Sequence, residues 1–314
     1  MRVIFMGTPE FSVGTLESLI EAGHEIVLAV TQPDRPKGRG KAIQITPVKR
    51  VALSHQIPVF QPVKLRDPEA MDQLRKYSAD VMVVVAFGQI LTKEVLEMTR
   101  YGCINVHASL LPAYRGAAPI QWAIINGEPV TGITTVQMDE GVDTGDVILK
   151  EEVIITSEET GASLHDKLAK VGARLLVETL KVIEEGNAIY EKQGETTTCY
   201  AAMFKKEMGR IDWKKSAAEI ERLVRGLNSW PGAYSLWGDK ELKIWRAKPV
   251  LEPTCERKEV ALPGEIIKAD KKTVMIQTGM GCLEIVEIQI PGKKRMTIEE
   301  FLRGNKLEAG VILS

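Results

Sequence analysis

A chain of 314 residues, 44% hydrophobic and 26% charged, has the makeup of a water-soluble globular protein. Its length exceeds the roughly 250–300 residues that one hydrophobic core fills, so two domains are expected. No stretch approaches the roughly 18 apolar residues of a membrane-spanning helix, and the apolar run at residues 1–6 is too short for a secretion signal, so a cytoplasmic location is expected. Four scattered cysteines (Cys103, Cys199, Cys255, Cys282) form no C-x-x-C pair, and His24, His55, His107 and His165 show no metal-ligand spacing. That pattern points to neither a disulfide framework nor a metal centre. The net charge is −1 but unevenly spread: residues 1–204 carry 20 Lys+Arg against 26 Asp+Glu (−6), and residues 205–314 carry 21 against 16 (+5). A basic C-terminal third suits a polyanionic partner.

The first half alternates buried strands with amphipathic helices. Residues 2–6 read as a strand and 9–22 as a helix, with Pro9 suited to its first turn. A strand over 25–31 leads into a glycine-containing, basic loop, and Thr46-Pro47 opens a helix over 46–55. Asp67-Pro68 opens another through 77. Residues 80–86 (DVMVVVA) have the continuous apolar character of a strand buried on both faces. Strands at 102–106, 131–138 and 147–155 follow, with helices over 117–126 and 161–186. The alternation predicts an α/β domain with a doubly wound, mostly parallel sheet, Rossmann-like in outline. Ligands in such sheets bind beyond the carboxyl ends of the strands, here the loops after Met6, Ala86, Val106 and Met138.

The apolar period fades between 187 and 206, as in a linker. Beyond it a helix over 216–226 precedes short alternating runs at 233–237, 242–248, 264–269, 273–278 and 282–288, separated by turns containing Gly or Asp. These predict a small antiparallel barrel of the OB type. The expected layout is therefore a catalytic domain over 1–189, a linker over 190–206 and a C-terminal domain over 207–314.

Phosphate-binding fingerprints are missing: there is no G-x-G-x-x-G and no G-x-x-x-x-G-K-S/T, which weakens any claim on a nicotinamide cofactor. The absence of a G-x-S-x-G elbow likewise weighs against a serine hydrolase. The strongest local signal is Cys103-Ile104-Asn105-Val106-His107. In an extended strand, residues two apart share a face, so an amide and an imidazole converge at the sheet's carboxyl edge. Both can donate to a carbonyl oxygen that turns negative. A nearby carboxylate would favour the protonated ring, and Asp139, Glu140, Asp143 and Asp146 all leave the next strand together. Spacing alone does not choose among the four.

The run Asn105-x-His107-x-Ser109-Leu110-Leu111-Pro112, with Tyr114-Arg115-Gly116-Ala117-Ala118-Pro119-Ile120 and Asp143-Thr144-Gly145-Asp146, closely resembles the folate-dependent formyltransferases. Gly7-Thr8-Pro9, Thr31-Gln32-Pro33-Asp34-Arg35-Pro36, Ile211-Asp212-Trp213, Trp230-Pro231 and Gly292-Lys293-Lys294 extend the similarity along the chain. The resemblance implies Asn105, His107 and Asp143 as the catalytic set and 10-formyltetrahydrofolate as formyl donor, with no metal and no nicotinamide. It implies folate contacts from Ser109, Leu110, Leu111 and Pro112, with Phe87, Gly88, Gln89 and Ile90 lining the pterin pocket. Ala108 departs from the glycine expected there and slightly narrows the site.

The basic loop and basic second domain resemble the tRNA-modifying branch of that family. This implies initiator methionyl-tRNA as acceptor, with Arg35, Lys37, Arg39 and Lys41 on the acceptor stem. Lys205, Lys206 and Arg210 are candidates for the rest of the track, as are Lys214, Lys215, Lys243, Lys248, Lys293, Lys294 and Arg295. Trp230 and Trp237 could stack on nucleotides, although tryptophan in a small barrel is more often core. A small-amine acceptor, formate-releasing hydrolysis, a non-catalytic RNA-binding protein and a nicotinamide oxidoreductase are the alternatives. A monomer is expected.

Overall fold

Parallel strands buried on both faces need apolar residues at every position, and the first sheet is built from such runs. The computed structural model describes residues 1–37, 42–196, 198–250 and 261–314. In chain order it begins with β1 (Arg2–Gly7), α1 (Val13–Glu21), β2 (Glu25–Val30), β3 (Arg35–Lys37), β4 (Ala42–Gln44), α2 (Pro47–Ser54), β5 (Val59–Phe60) and α3 (Pro68–Arg75). There follow β6 (Val81–Val85), α4 (Lys93–Leu96), β7 (Cys103–His107), α5 (Pro119–Asn126), β8 (Val130–Gln137), β9 (Asp146–Ile154) and α6 (Gly161–Glu184). Seven strands form one sheet in the order β5-β2-β1-β6-β7-β8-β9. The strands from β5 to β7 pair in parallel, whereas β7–β8 and β8–β9 pair antiparallel.

The expected mostly parallel α/β sheet is what forms. All five residues of β6 are buried, and Ile4, Met6, Leu28, Met82 and Leu74 share one core cluster. Truncating such a side chain to alanine costs about 2–5 kcal/mol. Gly132 in β8 is needed for close packing: a Cβ there would lie 2.1 Å from the Glu151 carbonyl and 2.5 Å from Leu110 Cδ2.

The expected helix over 9–22 starts later, at Val13, after a single 3-10 turn over Glu10–Ser12, where Ser12 Oγ donates to Val85 O at 2.6 Å. The basic segment read as a loop contains the two-stranded antiparallel hairpin β3–β4, with Arg35 paired to Gln44 and Lys37 to Ala42. Asp34 accepts from Lys49 Nζ (2.5 Å) and Gln61 Nε2 (2.9 Å), tying the hairpin's base to the body, and these bonds hold its carboxyl below the usual carboxylate range.

The second half comprises α7 (Ala217–Gly226), β10 (Ala233–Trp237), β11 (Lys240–Val250), β12 (Ile266–Ala269), β13 (Val274–Gln277), β14 (Cys282–Gln289), β15 (Met296–Thr297) and α8 (Ile298–Leu302). Its strands run β10-β11-β14-β13-β12, with β15 added on β14: a curled antiparallel sheet, OB-like and partly open among the described residues. Helix α7 opens with a capping box, Ser216 accepting from Glu219 N and Glu219 accepting from Ser216 N. Its apolar residues Ile220 and Val224 enter the core formed by Leu242, Ile244, Ile276, Leu283, Ile285 and Phe301. Trp237 packs edge-on against Phe301 in this core, as expected. Trp230 does not: it is 60% exposed, because it sits in the turn before β10 rather than on a strand.

Two compact units result, one of Met1–Pro119, Val130–Ile154 and His165–Ala201, the other of Ile120–Pro129, Ile155–Leu164 and Ala202–Ser314. No described helix is long and apolar enough to cross a membrane.

Candidate functional site

The end of β7 carries the site. Asn105 and His107 stand two residues apart on this strand, between parallel β6 and antiparallel β8, and strand alternation gives them one face. Asn105 is half-buried, and its amide has no hydrogen-bond partner among the described residues. It lines a small cleft together with Val136, Met138, Asp139, Gly141, Asp143, Thr144 and Gly145. His107 is only 6% exposed. Its Nδ1 lies 3.4 Å from Asp143 Oδ1, and its Nε2 lies 3.1 Å from the Tyr114 carbonyl. Both ring nitrogens thus face acceptors, and a ring carrying both protons satisfies both contacts.

Of the four carboxylates left open by the sequence, the fold brings only Asp143 to His107. Asp139 is occupied within its own turn, accepting from Gly141 N (3.1 Å) and Thr144 Oγ1 (2.7 Å). Asp146 pairs with Lys192 at 3.3 Å, and Glu140 is exposed. Asp143's second oxygen accepts from Gly116 N at 2.9 Å. Asp143 and Tyr114 both hold left-handed backbone, at φ 55 and 56. Non-glycine residues adopt that conformation only where their surroundings enforce it, and such strain collects at working sites.

Gly145 lets the turn close. A Cβ there would fall 1.8 Å from the Gln137 carbonyl. Gly145→Ala is expected to shift the Asp143 turn and destabilise the fold by about 1–3 kcal/mol or more, read from urea unfolding, with activity lost beyond the loss of folded protein. Wild-type stability would show that the turn has room to move.

The other expected site residues are placed variously. Phe87 is buried in the core of the first unit and Gln89 bonds to Leu65 N and Pro62 O, so both side chains serve the fold. Ala86, Gly88 and Ile90 alternate outward from them, Ile90 with 85% of its surface exposed. Ser109 is buried and donates to Ala113 O at 2.6 Å, while Leu111 joins a small core with Val136 and Val147. Leu110 packs over Gly132, and Pro112 is half-buried. The backbone here, more than the side chains, is what remains to meet a ligand.

Arg35 is exposed on β3. Lys37 is on the same strand, its side chain outside the description, and Arg39 and Lys41 lie outside the described residues. In the second unit Lys205 and Arg210 are exposed, and Lys206 pairs with Glu241 at 2.9 Å. A cavity of about 460 Å³ in that unit is lined by Trp245 and by Arg225, Arg246 and Arg295. Each of these arginines is already paired, with Glu221, Glu158 and Glu287 respectively.

Residues around the catalytic edge that the sequence did not single out come from 191–201. Thr198 Oγ1 accepts from Tyr114 N (2.7 Å), Gln193 binds Arg115, and Ala201 exchanges backbone bonds with Arg115 and Ala118. No periodicity or motif marks this segment.

Residues 1–180 match the model of the family described as formyl transferase, and residues 203–306 match its C-terminal domain. The chain belongs to the formyl transferase family. Among curated members it is 58% identical to the methionyl-tRNA formyltransferase of Agathobacter rectalis, over 99% of this chain and 98% of that one. It is 51% identical to the methionyl-tRNA formyltransferase of Clostridioides difficile, over the full length of both. The fold is shared with the N-formyltransferase of Helicobacter canadensis solved with folinic acid and dTDP-3-aminofucose, at TM-score 0.69 and 18% identity over 91% of this chain and 99% of that one.

Proposed function

We propose that this formyl transferase moves the formyl group of 10-formyltetrahydrofolate to the amino group of methionyl initiator tRNA. The observation that carries the chemistry is the unpartnered Asn105 amide on the strand that also holds His107 against Asp143. The amine nitrogen attacks the formyl carbon, and the carbonyl oxygen becomes an oxyanion that accepts from the Asn105 amide and the His107 ring. Asp143 stabilises the charged ring and takes the proton the amine loses. Collapse breaks the bond between carbon and the folate N10, which leaves as N–H on taking a proton from His107. The ring is reprotonated from Asp143, so one proton has moved from amine to folate and the site is restored. The exposed backbone at Ala86, Gly88 and Ile90, with the 109–112 turn, forms the folate-binding edge.

The acceptor reading rests on relatives of more than 50% identity along the whole chain and on charge. Arg35 and Lys37 on the hairpin, with Arg39 and Lys41 between its strands, form the acceptor-stem contact. Lys205, Lys206 and Arg210 are further tRNA contacts of the second unit, the chain being divided into a catalytic domain of 1–189, a linker of 190–206 and a C-terminal domain of 207–314. The protein works as a cytoplasmic monomer. Phosphate contacts of this kind make tRNA binding weaken steeply with salt.

The deciding experiment is formyl transfer to charged initiator tRNA, with charged elongator methionine tRNA and small amino sugars as controls. Transfer confined to the initiator is expected. Transfer to a small amine alone would overturn the acceptor and keep the chemistry.

A further inference from the structure

Residues 191–196 and 198–201 are bound along the catalytic edge of their unit. Glu191 and Val147 exchange two backbone hydrogen bonds of 2.8 Å, Lys192 pairs with Asp146, and Ala201 N donates to Arg115 O at 2.8 Å. Within this strap Gln193 is half-buried while its neighbours Lys192 and Gly194 are exposed. Its amide is fully engaged on both sides. Oε1 accepts from Arg115 Nε (3.0 Å) and Nη2 (2.8 Å). Nε2 donates to the carbonyls of Asp143 (3.0 Å) and Gly145 (2.7 Å).

Those two carbonyls flank the turn that presents Asp143 to His107 in left-handed backbone. Arg115 precedes Gly116, whose N–H fixes the second oxygen of Asp143. One side chain therefore ties together the two loops that together orient the Asp143 carboxylate. We infer that Gln193 is a positioning residue for formyl transfer, clamping the Asp143 turn to the Arg115–Gly116 loop so that the carboxylate stays aligned on His107. This rests on the catalytic roles proposed above for His107 and Asp143.

The chemistry requires an amide in particular. A carboxylate would suit Arg115 better but would turn acceptor oxygens toward two carbonyls and supply no donor for either. A clamp that matters for Asp143 should thus fail in Gln193→Glu as well as in Gln193→Ala.

The test measures kcat and KM for both substrates in the full-length Gln193→Ala and Gln193→Glu proteins, together with amide exchange at Gly116 and, as a control, at Val83. Both variants are expected to lose about 10–100-fold in kcat, the size of effect a slightly misplaced catalytic group produces. KM for the folate should hold, and exchange at Gly116 should quicken while Val83 stays protected. Wild-type kcat in Gln193→Glu would overturn the inference, since only the Arg115 contact would then matter. Unchanged exchange at Gly116 would overturn it too. If the wild-type protein transfers no formyl group, the proposed function fails, and the exchange comparison still decides whether Gln193 holds the turn.

Discussion

His107→Ala is expected to lower kcat for formyl transfer by about 10²–10⁴-fold, the usual contribution of a positioned acid–base group, while leaving tRNA affinity near its wild-type value. The ring is buried, and its polar contacts among the described residues are the Asp143 carboxylate and the Tyr114 carbonyl. Its contribution is therefore made as charge develops on the formyl oxygen, and an interaction made only then appears in kcat rather than in ground-state binding. Removing the ring also takes away one hydrogen bond to the Tyr114 carbonyl, a loss of about 0.5–1.5 kcal/mol of stability. Thermal unfolding beside single-turnover transfer separates that loss from the chemical one. Near-normal turnover in a folded variant would remove His107 from the mechanism.

Much of this site was legible because it is local. Asn105 and His107 share a face through strand alternation, which the sequence shows directly, and the buried run at Val81–Val85 placed their strand in a parallel sheet. The choice of carboxylate was not legible from spacing; it came only from the family resemblance. Asp139, Glu140, Asp143 and Asp146 fall within one turn, and their directions depend on a left-handed residue and on partners far along the chain. Asp139 is consumed by its own turn, and Asp146 is claimed by Lys192, 46 positions away. The strap over 191–201 was hidden for a related reason. Its bonds run to loops some 50 to 85 residues earlier and use backbone groups and small polar side chains, so it carries no apolar period. The pairing of β3 with β4 was missed because its ladder is only three residues a side, too short to show an alternating period.

Asp143→Asn should be as damaging as the loss of His107, for a reason the geometry makes specific. Asparagine tolerates left-handed backbone, so the turn at φ 55 survives, whereas alanine there would add strain of about 1–3 kcal/mol. The asparagine oxygen can keep the bond from Gly116 N. That choice leaves its NH₂ facing His107 Nδ1, which must then act as acceptor. The ring's proton is pushed to Nε2, beside the Tyr114 carbonyl, and any positive charge the ring takes on during transfer has no counter-charge. A wrong tautomer with intact packing lowers turnover by about 10⁴-fold in the Ser-His-Asp triad. Thermal unfolding near wild type together with a collapsed kcat is the expected pair of results, and folate KM should move little. Near-normal turnover would show that Asp143 only shapes the turn. The double variant His107→Ala/Asp143→Asn then tests whether the two act as a unit: turnover no lower than in His107→Ala alone follows if Asp143 works through the ring. A further, multiplicative fall is what the mechanism above expects, since Asp143 there takes the amine proton itself as well as steadying the ring.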